Sequence, residues 1–166
     1  HIDFLRGGPT YAHAYAALAN HPCPDAFIVF GTCHNPMPQR FSVGSKDYET
    51  PLGPARVDRD FVARLSERLN KEYSEQFSHR GEHSIEFQAV WLKYIFGEKR
   101  DFRIIPILVG AFHDIFSEGR NAGDDPEIRK AVDALRETME ETPGRICVVA
   151  GADLAHVGRR FGDPSG

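Results

Sequence analysis

No apolar run in this 166-residue sequence is long enough to cross a bilayer, and no secretory signal pattern opens it. A membrane partner is therefore not expected. Cysteine is scarce: Cys23, Cys33 and Cys147 are odd in number, scattered and without a CxxC pair. That excludes a disulfide scaffold and fits reduced thiols in a cytoplasmic protein. Positive charge is not in excess either. The formal net charge of −4 gives no basis for binding a polyanion, so nucleic acid is not an expected partner. The GxGxxG and P-loop phosphate cradles, the GxSxG nucleophile elbow and the HExxH zinc helix are all missing. Nucleotide folds, serine hydrolysis and zinc proteolysis thereby lose their sequence support. Internal repeats and low-complexity segments are absent too.

What is present is an ordinary globular composition, 41% hydrophobic and 27% charged, at a length suited to one domain with a sizeable core. The chain opens on His1 rather than Met and stops in Gly162-Asp163-Pro164-Ser165-Gly166, so a single α/β domain over residues 1–166, incomplete at both ends, is expected. His1 to Gly8 reads as a strand exit and a glycine turn, after which Pro9 and Thr10 open a helix through Leu18. Ala26-Phe27-Ile28-Val29-Phe30 reads as a central strand buried on both faces. Asn35 to Pro54 reads as a long surface excursion with short extended pieces such as Arg40 to Val43. Helices are expected from Asp58 to about Tyr73, with a break at Ser78 to Gly81, and from about Ser84 to Phe96. Ile104 to Val109 is a strand in which Pro106 points to a sheet edge or bulge. Asp125-Pro126-Glu127 starts a further helix, and Ile146 to Ala150 closes the pattern as a buried strand. Strands alternating with helices predict a layered α/β/α architecture with a mostly parallel or mixed sheet.

Histidine carries most of the chemistry. His34 and His156 each follow a strand and a glycine, and His1 precedes a glycine turn as though ending a strand. Three imidazoles at the carboxyl edge of one sheet sit where such sheets place their chemistry, and imidazole is a common ligand for iron, zinc, copper and nickel. Asp153 lies three residues before His156 and either orients that imidazole or caps the following turn. In Glu82-His83-Ser84-Ile85-Glu86, the acids complement a helix start with Ser84 as cap, or His83 faces substrate with Glu82 as its partner. Cys33 beside His34 is a weak nucleophile candidate, because adjacent residues on an extended segment face opposite ways. Arg159 and Arg160 read as a solvated turn, and His13, His21, His79 and His113 as surface or packing residues.

Taken in order, HIDFLRGG, FGTCH, YETPLGPARVD, EHSIEFQ, IIPILVG and GADLAHVGRRFGD resemble the Memo family, whose prokaryotic branch is called AmmeMemoRadiSam system protein B. That family is similar to class III extradiol dioxygenases of the LigB type. The resemblance implies an α/β sheet flanked by helices, with a pocket at one sheet edge. It implies His1 and His34 as ligands of non-haem iron (Fe2+) or copper, His156 as an acid/base group rather than a ligand, and Asp153 beside it. It also implies a pocket cysteine from a later segment, and none of Cys23, Cys33 or Cys147 lies in the matching place. Two functions follow as expectations. One is a metal-dependent oxidoreductase of unknown substrate. The other is a non-catalytic protein binding a peptide or small ligand on the same scaffold and acting with a radical-SAM partner.

Overall fold

The sheet is built around Ala26–Thr32 (β1), whose apolar run is closed off from solvent on both faces at Phe27, Ile28 and Val29. The computed structural model describes residues 2–70, 76–153 and 158–164. Beside β1 run Arg103–Val109 (β4) and Ile146–Gly151 (β5), both parallel to it. Phe41–Val43 (β2) pairs antiparallel with the far side of β4, and Arg56–Val57 (β3) pairs parallel with its start. The five strands form a mixed sheet in the order β2-β4-β1-β5, with β3 also on β4.

Helices flank this sheet. Ser84–Phe96 (α4) buries Ile85, Gln88, Ala89, Leu92 and Phe96, a 3-4 spacing that puts one stripe against the strands. Phe96 stacks on Phe27 of β1 at 5.7 Å, and Phe102 meets the same ring edge-on at 5.3 Å. Phe4–Ala19 (α1) packs on α4 through Tyr15, whose ring stacks on Trp91 at 5.4 Å. A second helical pair joins Arg59–Arg68 (α2) to Pro126–Glu140 (α6), tied by Arg68 to Glu137 and Glu141. The Asp125 carboxylate accepts the N–H groups of Glu127 and Ile128, so α6 starts as its Asp-Pro signature predicts. Single-turn helices occupy Phe77–Arg80 (α3) and His113–Ser117 (α5). No described helix is long and apolar enough to cross a membrane.

Several expectations need correction. The first helix begins at Phe4, not at Pro9, and replaces the expected glycine turn. Asp3 caps it by accepting the Arg6 N–H, Tyr11 bonds back to Ile2, and the Phe4 ring packs on Phe87 at 4.8 Å. Those contacts outweigh the backbone bond that Pro9 removes. Helix α2 stops at Arg68, where Asn70 adopts a positive φ of 55°, and residues 71–75 lie outside the described residues. The break expected at Ser78 to Gly81 is instead mostly the turn of α3. Pro106 sits in an interior strand, yet at an edge-like point. The outer side of β4 is shared by β3 at Arg103 and Ile104 and by β2 from Ile107 onward, and the proline falls in the gap between them. Finally, among the described residues β5 has a strand on one side only, where a buried strand was expected, and Val148 is 51% exposed.

Candidate functional site

At the end of β1 the chain stays extended. The Cys33 N–H still bonds the Val109 carbonyl at 2.8 Å, which turns the Cys33 side chain inward and His34 outward. Cys33 is buried, its thiol bonded to the Asn35 carbonyl at 3.3 Å, so it packs rather than attacks.

His34 is held through both ring nitrogens. Nδ1 lies 2.9 Å from Glu82 Oε2, and Nε2 lies 3.3 Å from Asp153 Oδ2. The same Glu82 oxygen accepts the His34 backbone N–H at 3.0 Å, so one atom fixes both the main chain and the ring. Glu82 is only 5% exposed, and its other oxygen accepts the N–H groups of His83 (2.9 Å) and Ser84 (3.1 Å). A buried carboxylate thus closes the amino end of α4, where the exposed backbone N–H groups favour negative charge. Ser84 is therefore not the cap. Its hydroxyl donates to the Thr32 carbonyl at 2.8 Å and ties α4 to the end of β1.

The strand ends come together because two glycines allow it. Gly31 and Gly151 are register partners on β1 and β5. A Cβ on Gly31 would run into the Ser84 hydroxyl and come within 2.6 Å of Ile85; one on Gly151 would come within 2.8 Å of the Ser84 carbonyl. Thr32 then links the two exits, its hydroxyl accepting the Asp153 N–H at 3.3 Å.

Hydrogen bonding to Glu82 raises the pKa of His34 above the ordinary imidazole value; burial opposes this, and Asp153 adds to the rise. For Glu82, burial pushes the carboxyl up, but the His34 N–H and ring and the Ser84 N–H more than offset it, leaving the group more acidic than usual. For Asp153, burial pushes the carboxyl up, while the hydrogen bond and charge of His34 act to keep it ionised. An imidazole between two ionised carboxylates can hold a proton, or exchange it for a cation at Nε2.

Each of the three side chains also opens onto a different depression. Glu82 lines a cavity of about 540 Å³ shared with Tyr48 and His79. His34 lines one of about 520 Å³ walled by Met37, Arg40 and Gly110. Asp153 ends a groove of about 700 Å³ between α1 and β5. The loop after His34 is fixed by Arg40, whose guanidinium makes a two-pronged pair with Asp114 (2.9 and 2.5 Å), while its N–H donates to Glu127 at 2.7 Å.

Of the residues expected from sequence, His34, Asp153 and Glu82 come together. His83 does not join them as a ring partner of Glu82. Its side chain is exposed and stacks on Phe87 at 5.8 Å, and only its backbone N–H meets the carboxylate. His1 and His156 lie outside the described residues, as does the 154–157 stretch that would relate His156 to Asp153. Among the described residues no group of three or more His, Cys, Asp or Glu forms a metal-holding cluster. The sequence reading missed the Glu82–His34 pair and the bridging role of Thr32. The usable signal was an acid directly ahead of a helix that opens on buried Ser84 and Ile85.

The family model described as Memo-like protein matches residues 1–166. A MEMO1 family protein of Aquifex aeolicus is 29% identical over 165 residues, covering 99% of this chain and 40% of the relative. Counterparts from Saccharolobus islandicus and Desulfurococcus amylolyticus are each 31% identical, covering 94% of this chain and 51% of the relative. The chain thus spans about half the length, or less, of these curated relatives. With a family match over residues 1–166, the chain belongs to the Memo family.

Proposed function

We propose that His34 is an oriented ligand in a non-haem metal site, and that the protein is a metal-dependent oxidoreductase resembling the class III extradiol dioxygenases. The observation that supports this reading is the Glu82–His34–Asp153 arrangement at the carboxyl edge of β1 and β5. The chemistry of the two described donors, an imidazole nitrogen and a carboxylate oxygen, suits such an ion. A carboxylate taking the Nδ1 proton fixes the tautomer and leaves Nε2 to bind, the usual outer-shell arrangement of a metal-ligating histidine. Asp153 presents a second donor to the same side of the ring. His1 as a further ligand and His156 as the acid/base group complete the proposal.

Bound there, Fe(II) or copper supplies redox chemistry and a Lewis-acid centre. Glu82 keeps the imidazole from rotating, because Oε2 grips ring and backbone together. Asp153, held ionised, stores a negative charge beside Nε2 and so favours a cation or proton at that atom. His156 would move a proton from a substrate hydroxyl, a step that general catalysis speeds by roughly 10² to 10⁴.

The test is elemental analysis of protein purified without oxygen, followed by oxygen-uptake screening over catechol-like substrates. Iron or copper that is lost on His34→Ala supports the reading. If no metal is taken up and His34→Ala still binds a radical-SAM partner, the protein is a binding module instead.

A further inference from the structure

The two proposed histidine ligands are anchored by different means. His34 follows β1, which is paired on both sides, and Glu82 grips its main chain and ring. His1 lies outside the described residues, and among the described ones no strand precedes α1 to carry it. The segment that leads to it needs another anchor.

Tyr11, two turns into α1, supplies one. Its hydroxyl accepts the Ile2 N–H at 3.3 Å and donates to the Ile2 carbonyl at 3.1 Å. One oxygen thus holds both main-chain polar groups of the residue next to His1. Consecutive Cα atoms are about 3.8 Å apart, so a residue held this way limits where its neighbour's side chain can begin. The Ile2 side chain is seated as well: a Cβ on Gly7 would come within 2.5 Å of Ile2 Cγ2. Ile2 and Asp153 line the same groove, which brings the segment to the sheet edge where His34 sits.

The tyrosine ring is itself fixed to the elements that carry His34. It stacks on Trp91 of α4 at 6.0 Å, and the Phe4 ring meets it edge-on at 5.8 Å. Helix α4 is in turn tied to the end of β1 through Ser84 and Thr32. Burial raises the pKa of the Tyr11 phenol, and the Asp153 charge adds to the rise, so the hydroxyl keeps the proton it donates. The overall fold depends little on this hydroxyl, because Ile2 is 40% exposed and water can take over its bonds. Water does not reproduce the fixed position. We infer that Tyr11 is a positioning residue of the proposed metal site, its hydroxyl fixing the main chain from which the His1 imidazole extends. This rests on the metal-site reading above, in which His1 and His34 share an ion.

Tyr11→Phe tests it, since it removes one oxygen and keeps the ring stack. In protein at its cellular length it should weaken Fe(II) binding by about 10- to 100-fold, the range for groups that orient metal ligands. The metal-free melting temperature should stay at the wild-type value. With Cu(II) as probe, the nitrogen hyperfine pattern in the electron paramagnetic resonance spectrum should shift from that of two imidazoles toward that of one. Tyr15→Phe is the control, because its hydroxyl meets buried Gln88 and not Ile2. It should lower the melting temperature and leave affinity and spectrum unchanged. Wild-type affinity and spectrum in Tyr11→Phe, with metal bound by the wild type, overturn the inference alone. An equal loss of affinity in Tyr15→Phe overturns it too, because the effect is then one of packing. A wild type that binds neither metal overturns the metal-site reading and the inference with it.

Discussion

His34 and His79 stand at two different depressions, His79 on the one that Glu82 also lines, and both imidazoles are gripped through both nitrogens. The partners differ. His79 lies 3.0 Å from the Tyr48 hydroxyl through Nδ1 and 3.1 Å from the Ser42 carbonyl and hydroxyl through Nε2, all uncharged groups. It packs over the backbone of Gly44 and secures the end of β2. His34 meets two carboxylates, and its side chain is half open to solvent. A histidine that holds a hydroxyl and a strand-end carbonyl acts as a fastener. One between two negative charges, at a sheet's carboxyl edge, is poised for a proton or a cation. Sharing a cavity wall with Glu82 does not by itself give a histidine that setting; carboxylate partners do.

The largest expected effect comes from removing what steadies His34. Glu82→Ala strips the acceptor from three backbone N–H groups and the ring, and should cost about 3 kcal/mol in urea unfolding. Glu82→Gln keeps the shape and should cost less. Equal stability of wild type and Glu82→Ala would break the account of the α4 cap. Gly151→Ala should come next, at about 1–3 kcal/mol, because its Cβ meets the Ser84 carbonyl, which is backbone, and the Gln88 side chain, which hydrogen bonds to Tyr15 and Ser84 hold in place.

His79→Ala should destabilise by about 1–2 kcal/mol through the partly buried Tyr48 hydroxyl it leaves behind, and should not change metal uptake. His34→Ala should be milder for the fold, since three backbone N–H groups still hold Glu82. The smallest effect is in pH dependence. With its pKa raised, His34 contributes stability that is fully present below the ordinary imidazole value of about 6.5 and is lost as pH rises through its folded value. Metal-free wild type should therefore exceed His34→Gln in stability most at mildly acid pH, with the gap closing above neutrality. A gap that does not change with pH would remove the two-carboxylate account.

Much of this arrangement was readable from residues alone, for identifiable reasons. The run Ala26–Phe30 reads best as a covered strand, and Asp125-Pro126 announces a helix through local capping chemistry. His34 and Asp153 were found because a glycine followed by a polar residue at a strand end is a local pattern. The Glu82–His34 bond joins residues 48 positions apart, and no local rule states it. The start of α1 was misplaced because Pro9 outweighed Asp3 in a local reading, whereas Tyr11, Phe4 and Phe87 decide it in space. The edge position of β5 was illegible for a similar reason. An apolar strand looks the same in sequence whether one neighbour flanks it or two.

The most direct measurement is an anaerobic Fe(II) titration of wild type, His34→Ala and His79→Ala, using protein at its cellular length. Wild type and His79→Ala should bind alike, and His34→Ala should lose binding. Undiminished binding by His34→Ala would contradict the assignment of the site.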